Sequence, residues 1–247
     1  MNNEIKNIIN WVNEENDTNY TVKDFPDKLN EKDWNSISQH QTLSEDFIEK
    51  YENKVDWKYI SIYQDLSEKF IEKYKDKIDW IYIFKNPILS EAFIEKYKNI
   101  VNWYWISIFQ TLSESFIEKY KNEVNWENIS GYQILSEEFI EKYENKVDWE
   151  NISISQDLSE LFIEKYENKV DWYNISVYQK LSEKFIKKYK NELHWYPISE
   201  YQNLSYSFII KFRNYLYWSG IKRKYNLTYF DICKRINLNN NKIALNI

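Results

Sequence analysis

The chain has 247 residues, 43% of them hydrophobic and 19% aromatic, and carries a formal net charge of -6. Two glycines and three prolines exclude a fold built on tight turns with positive φ, which argues against β-rich solenoids. The single cysteine, Cys233, excludes an internal disulfide, and no stretch reads as a signal peptide or an apolar span of about 20 residues. A soluble cytoplasmic protein without membrane contact is therefore expected.

From Met1 to Glu15 the residues Ile5, Ile8, Ile9 and Val12 share one helical face, which predicts an amphipathic first helix. Tyr20 to Trp34 follows the register of the rest of the chain but lacks most of its motif. Residues 1–33 are accordingly expected to cap the array that follows. That array is announced by ten tryptophans, Trp11, Trp34, Trp57, Trp80, Trp103, Trp126, Trp149, Trp172, Trp195 and Trp218, each 23 residues from the next. Fixed length without insertion means that every unit has the same fold and docks on its neighbours.

The unit reads Leu-Ser-Glu-x-Phe-Ile-Glu-Lys-Tyr-x-Asn-Lys-Val-Asp-Trp-x-x-Ile-Ser-x-Tyr-Gln-x and begins at Leu43, Leu66, Leu89, Leu112, Leu135, Leu158, Leu181 and Leu204. Its serine precedes an apolar-periodic run and suits an N-cap, so a first helix is predicted over roughly Glu45 to Glu52 in the first full copy, with Leu43, Phe47, Ile48 and Tyr51 inward. Glutamate near its start and lysine near its end match the helix macrodipole. A second start signal is the Asp or Asn before Trp, namely Asp33, Asp56, Asp79, Asn102, Asn125, Asp148 and Asp171. Trp57, Ile60 and Tyr63 then recur at three-residue intervals, predicting a second helix of about two turns with those three residues on one face. Helices this short do not persist alone in water, so stacking must stabilise them.

The expectation is an all-α fold, an α-solenoid of helix-turn-helix repeats over residues 34–218. A 23-residue period also falls in the leucine-rich-repeat range. That alternative is the weaker one, since no Leu-x-Leu strand with an Asn ladder recurs. One unit breaks the pattern: Ile83, Phe84, Lys85, Asn86 and Pro87 replace Ile-Ser-x-Tyr-Gln, and Pro87 should shorten the second helix there.

Residues 219–247 are expected to form a basic cap. Leu227 and Thr228 restart a helix signal, and Tyr229, Phe230, Ile232 and Ile236 are apolar. Eight basic residues against Asp231 give residues 211–247 a net +7, which leaves -13 on residues 1–210. Arg213, Lys222, Arg223, Lys224, Lys234 and Arg235 form a candidate basic patch for nucleic acid. It lacks a recognised module, and the acidic body would repel phosphate.

The two halves of the motif, Leu-Ser-Glu-x-Phe-Ile-Glu-Lys-Tyr and Val-Asp-Trp-x-x-Ile-Ser-x-Tyr-Gln, resemble uncharacterised short tandem repeats encoded in many copies by giant DNA viruses of the mimivirus kind, with similar arrays in other low-GC genomes and phages. The likeness covers about residues 34–218. It implies a viral or phage source and carries no activity with it.

No catalytic, cofactor or metal pattern is present. His40 and His194 lie far apart, Cys233 has no nearby His, and no phosphate-binding loop or nucleophile elbow occurs. The column Glu49, Glu72, Glu95, Glu118, Glu141 and Glu164 reads as a solvated face. The framework tryptophans read as core, and the recurrent Ser and Gln as partners for backbone groups. Positions that vary within a fixed frame are better candidates for recognition, and these are the two residues after each Trp. Tyr59, Tyr82, Tyr104, Trp105, Tyr173 and Tyr196 are thus the candidate contacts to a protein partner.

Overall fold

A computed structural model describes residues 2–85, 89–228 and 230–234. It is all helical among these residues, with short helices in regular pairs, the helical-repeat solenoid that the 23-residue period predicts. The chain divides into two compact units, Met1–Val124 and Asn125–Ile247.

In the first unit, α1 (Asn2–Asn16) buries Ile5, Ile8, Ile9 and Val12. Helix α2 (Glu31–His40) follows, and the repeat proper continues as α3 (Glu45–Lys50), α4 (Trp57–Tyr63), α5 (Glu68–Lys73), α6 (Trp80–Ile83), α7 (Glu91–Lys96), α8 (Trp103–Phe109) and α9 (Glu114–Lys119). The second unit alternates in the same way through α10 (Trp126–Tyr132), α11 (Glu137–Lys142), α12 (Trp149–Ser155), α13 (Glu160–Lys165), α14 (Trp172–Tyr178), α15 (Glu183–Lys188), α16 (Trp195–Tyr201), α17 (Tyr206–Lys211) and α18 (Trp218–Tyr225). Odd-numbered helices from α3 onward are the first of a pair and even-numbered helices the second. The second helices pack directly on one another in succession, α2 on α4, α4 on α6, and α10 through α18 in turn.

Each first helix has six residues and is capped by its serine, whose Oγ accepts from the N–H of the Phe three residues on, as in Ser44 to Phe47 at 3.2 Å. It is two residues shorter than the sequence implies, because Tyr51 takes the C-cap position. The second helices start behind Asp56, Asp79, Asn102, Asn125, Asp148 and Asp171, whose side chains accept from backbone N–H groups of the first turn. Asp33 departs from this rule. There α2 begins three residues earlier at an Asn30 N-cap, and Asp33 closes a capping box by accepting from the Asn30 N–H at 3.0 Å. The earlier start places Trp34 in the middle of α2 and buries it. Its Nε1 has no acceptor, whereas Trp57 donates to Glu52 O at 2.8 Å.

In each unit the core is built on isoleucines, Ile37, Ile60 and Ile106 in the first and Ile129, Ile152, Ile175 and Ile198 in the second, all fully buried, with buried Phe and Ile of the first helices and the Leu before each. Full burial of each such side chain contributes about 1.5–3 kcal/mol relative to exposure.

Within each unit, polar groups tie neighbouring repeats together. Ser153 Oγ donates to Trp149 O at 2.7 Å and accepts from Asp171 N–H of the following repeat at 2.9 Å. Gln179 reaches back: its Oε1 accepts from Leu158 N–H at 3.1 Å, and its Nε2 donates to Ser153 O at 3.0 Å and Gln156 O at 2.8 Å. Both residue types therefore satisfy backbone groups, as their near invariance suggests, within their own repeat at Trp149 O and Leu158 N–H and across to the neighbouring one. A third link runs forward from the first-turn glutamate. Glu160 accepts from Ser182 N–H at 2.5 Å and from its Oγ at 3.0 Å. Glu4 of α1 does the same for Ser44 at 2.8 and 2.9 Å, so α1 stands in for the missing preceding first helix.

The divergent repeat gives α6 four residues where its counterparts have seven. Pro87, the expected cause, and Asn86 lie outside the described residues, as do Tyr229, Ile236 and Arg235. Phe84, in place of the serine, is buried and stacks on Trp80 at 5.5 Å.

Candidate functional site

The outward surface of the second helices is unusually aromatic. Of the two residues after each Trp from Trp57 to Trp195, the first points outward: Lys58, Ile81, Tyr104, Glu127, Glu150, Tyr173 and Tyr196 are exposed. The second lies against the neighbouring helix, from half-buried Tyr59, Tyr82, Trp105 and Asn151 to buried Asn128, Asn174 and Pro197. Two consecutive helical positions differ by about 100°, so both cannot face the same way. The pair of variable positions is thus one fully outward position and one turned further in, at which Tyr82 and Trp105 stay half-buried.

A column missed in the sequence stands beside them. Tyr63, Phe109, Tyr132, Tyr178 and Tyr201 end their helices and are between 40% and 63% exposed. The three-residue spacing from Trp57 and Ile60 assigns Tyr63 to the inner face. In a helix of seven residues that face closes after Ile60 and Ser61, and the final Tyr swings outward. The available signal was Ser155 in the same column, a polar residue among aromatic ones, which is exposed.

The candidate residues gather best around the divergent repeat. Lys85 Nζ lies 4.4 Å from the Trp105 ring centroid and 5.5 Å from that of Tyr82, joining both aromatics through cation–π contact. Tyr104 packs edge-on against Trp105 at 4.9 Å, and Phe109 lies 5.7 Å from Trp105. Tyr82, Lys85, Tyr104, Trp105 and Phe109 make one continuous patch in the first unit. Tyr59 is paired instead with Tyr63 at 6.2 Å. In the second unit Tyr173 meets His194 edge-on at 5.3 Å and Tyr196 meets Tyr217 at 5.6 Å. A hydrogen bond with Glu200 raises the Tyr196 hydroxyl above its ordinary pKa.

The framework tryptophans are more accessible than the sequence suggests. Trp34 is buried, but Trp57, Trp80, Trp103, Trp126, Trp149, Trp172, Trp195 and Trp218 are half-buried. Each of Trp57, Trp103, Trp126, Trp149 and Trp172 lays one face on the Tyr that ends the next first helix, as Trp57 on Tyr74 at 4.8 Å. The second helix is too short to carry so wide a ring fully under its neighbour. They are therefore rim residues and not the closed core expected of them.

The glutamate column is solvated and paired. Lys73 contacts Glu49, and Lys119 contacts Glu95, each at 2.5 Å, while Lys188 lies 2.9 Å from Glu164. Lys96 with Glu72 and Lys165 with Glu141 repeat the arrangement.

The basic end is partly consumed by the fold. Tyr225 occupies the place of the recurrent Gln, its Oη accepting from Leu204 N–H at 2.6 Å. Lys224 donates to Tyr201 O at 2.6 Å and Gln202 O at 2.8 Å, and burial lowers its pKa. Arg223 pairs with Glu200. Arg213, Lys222 and Lys234 remain on the surface. Among the described residues no group of three His, Cys, Asp or Glu side chains is placed to hold a metal ion, and no helix is long and apolar enough to cross a membrane.

The class of protein defined by these features is a helical-repeat solenoid with an aromatic outer face. Comparison with protein-family models, curated proteins and solved structures yields no match.

Proposed function

We propose that the chain is a non-enzymatic helical-repeat scaffold that binds another protein, and that it does so as a viral or phage protein engaging a host factor. The observation that carries the binding reading is the patch of Tyr82, Lys85, Tyr104, Trp105 and Phe109 on the divergent repeat. Tyrosine and tryptophan held on short packed helices offer large contact area at little rotamer cost, which is the usual make-up of interface anchors. The proposal of a host partner rests on the resemblance of the repeat to those of giant viruses and phages.

The test is affinity capture from host extract, identification of the recovered partner, and titration of that purified partner with wild type and a Tyr104→Ala, Trp105→Ala variant. Loss of at least about tenfold in affinity is expected for anchors of this type. Equal binding by the variant would remove this surface from the proposal. A nucleic-acid role at the basic end has less support, because Arg223 and Lys224 are engaged within the fold.

A further inference from the structure

Two of the half-buried tryptophans, Trp57 and Trp149, sit in a cage that a lysine fills, and a third, Trp172, has the same cage without that lysine. In an ordinary copy, the rings of Trp149 and Tyr166 lie 4.8 Å apart at a tilt of 34°, and Lys169 places its ammonium 5.6 Å from the Trp149 ring centroid and 5.8 Å from that of Tyr166. Glu144 completes the enclosure, with Oε2 3.3 Å from Lys169 Nζ. Trp57, Tyr74, Glu52 and Lys77 repeat this in the first unit: the ammonium lies 5.4 and 5.7 Å from the two rings and 3.3 Å from the carboxylate. Two aromatic faces and a carboxylate thus form a cage, and a lysine from the adjacent repeat fills it.

One copy keeps the cage and replaces the lysine. Trp172 and Tyr189 stack at 5.0 Å, Tyr189 Oη donates to Glu167 Oε2 at 3.2 Å, and the position of Lys169 is taken by Glu192. A cavity of about 450 Å³ opens there, lined by Glu167, Trp172, Lys188, Tyr189 and Glu192. Lys188, also on the cavity wall, contacts the Tyr189 hydroxyl as Lys73 does that of Tyr74 beside the filled Trp57 cage, so it does not take the place of the missing cation. It lies 4.9 Å from the Tyr189 centroid and pairs with Glu164, as Lys165 does with Tyr166 and Glu141 in the copy whose cage Lys169 already fills. Other departures differ in kind: Trp103 has Lys98 and Glu123 at the two charged positions, Trp80 has Lys75 and Ile100, and at Trp195 the lysine is replaced by Tyr215, which stacks on the indole at 4.8 Å. Trp172 alone among the half-buried tryptophans from Trp57 to Trp195 has glutamate at both positions.

We infer that the Trp172–Tyr189–Glu167–Glu192 cage is a binding site for the ammonium of a lysine side chain on a protein partner. The geometry that accepts Lys169 at Trp149 is present at Trp172, without its internal occupant and with one more negative charge. An external alkylammonium would lie over the two rings with its charge between the carboxylates. The assignment rests on the protein-binding reading and names the chemistry its partner presents at this cage.

The experiment follows the indole N–H signals of the 15N-labelled full chain by NMR, with the Trp172 signal assigned from Trp172→Phe, while a capped tripeptide with central lysine is added. The expected result is a saturable shift of the Trp172 indole, absent with the norleucine analogue and weakened by salt. Glu192→Lys, which restores the ordinary repeat, should cut affinity by at least about tenfold through internal occupancy and charge. Lys169→Glu should empty the neighbouring cage and bring the Trp149 indole into the response. No Trp172 shift with the lysine peptide, an equal shift with norleucine, or unchanged binding by Glu192→Lys would overturn the inference. Tighter binding of an arginine peptide would overturn it in favour of a guanidinium. Because the cage and the Tyr104–Trp105 patch are distinct, a silent cage with partner capture still lost in the Tyr104→Ala, Trp105→Ala variant would sink this inference alone.

Discussion

Ser153 and Gln179 show how much of this array is fixed by single polar atoms. The Ser153 hydroxyl satisfies two backbone groups in two repeats and is fully buried. Ser153→Ala strands the Asp171 N–H and should destabilise the chain by about 1–3 kcal/mol in urea unfolding, because an unmade buried hydrogen bond costs the desolvation of its donor. Gln179→Met keeps the volume but loses three bonds, and its midpoint should fall further than that of Ser153→Ala. The recurrence of these residues made their role legible as backbone partners. Their more distant partners, 18 to 26 positions away, were not, since periodicity reports a repeated need without saying which neighbour meets it. The outward Tyr63 column was misassigned for a related reason: spacing defines a face only while the helix lasts, and α4 ends at Tyr63.

At the scale of the element, helices of six and seven residues hold because each is capped and because neighbours supply what isolated segments lack. Their existence and caps were readable from Ser, Asp and Asn. The shift at α2 was not, because Asn30 outcompetes Asp33 only through a capping box that also needs Asp33. The ion pairs between first helices are half-exposed, so a double-mutant cycle on Glu141 and Lys165 should give a small coupling that vanishes in about 1 M salt. Their acid dependence has a definite sign. The hydrogen bond from Lys119 holds the Glu95 carboxyl below its ordinary pKa. Its contribution is present above the unfolded value and is lost as pH falls through the folded one. Thermal scans should therefore show stability declining below about pH 4.5. The lysines are shifted in the opposite sense: bonds to Glu72 and Glu95 raise Lys96 and Lys119, so their share is kept through neutral pH and lost only as pH rises beyond the ordinary lysine range. Glu95→Gln should flatten the acid limb, and an unchanged limb would exclude this pair as its origin.

For the whole molecule, the two ends are handled differently. The N-terminal end of the array uses a longer helix whose Glu4 imitates a repeat glutamate, and the last repeat uses Lys224 and Tyr225 to occupy the Gln202 carbonyl and the Leu204 N–H that a further glutamine would take. Tyr225→Phe should leave the Leu204 N–H without its acceptor. Hydrogen exchange is expected to accelerate at Leu204 and Ile209, with little change at Ile152, because stability in repeat arrays passes mainly between neighbours. Uniform acceleration would instead indicate that the second unit opens as one body. The aromatic patch and the Trp172 cage both occur where a copy departs from the repeat, at Phe84 to Pro87 and at Glu192. The sequence marked the first departure by its loss of motif. The second was hidden in a single charge reversal that only the lysine-filled cages make meaningful.

The forward link from glutamate to the next serine has a genetic consequence. Every bond between neighbours spans a fixed offset within the 23-residue period, and the partner types recur in nearly every copy. Duplication or loss of one whole copy by recombination would rejoin compatible partners at the seam, while a shift of one residue would break all of them at once. Chain length can thus change in steps of a complete unit without a compensating mutation, and a variant lacking residues 135–157 should fold with its cap contacts intact.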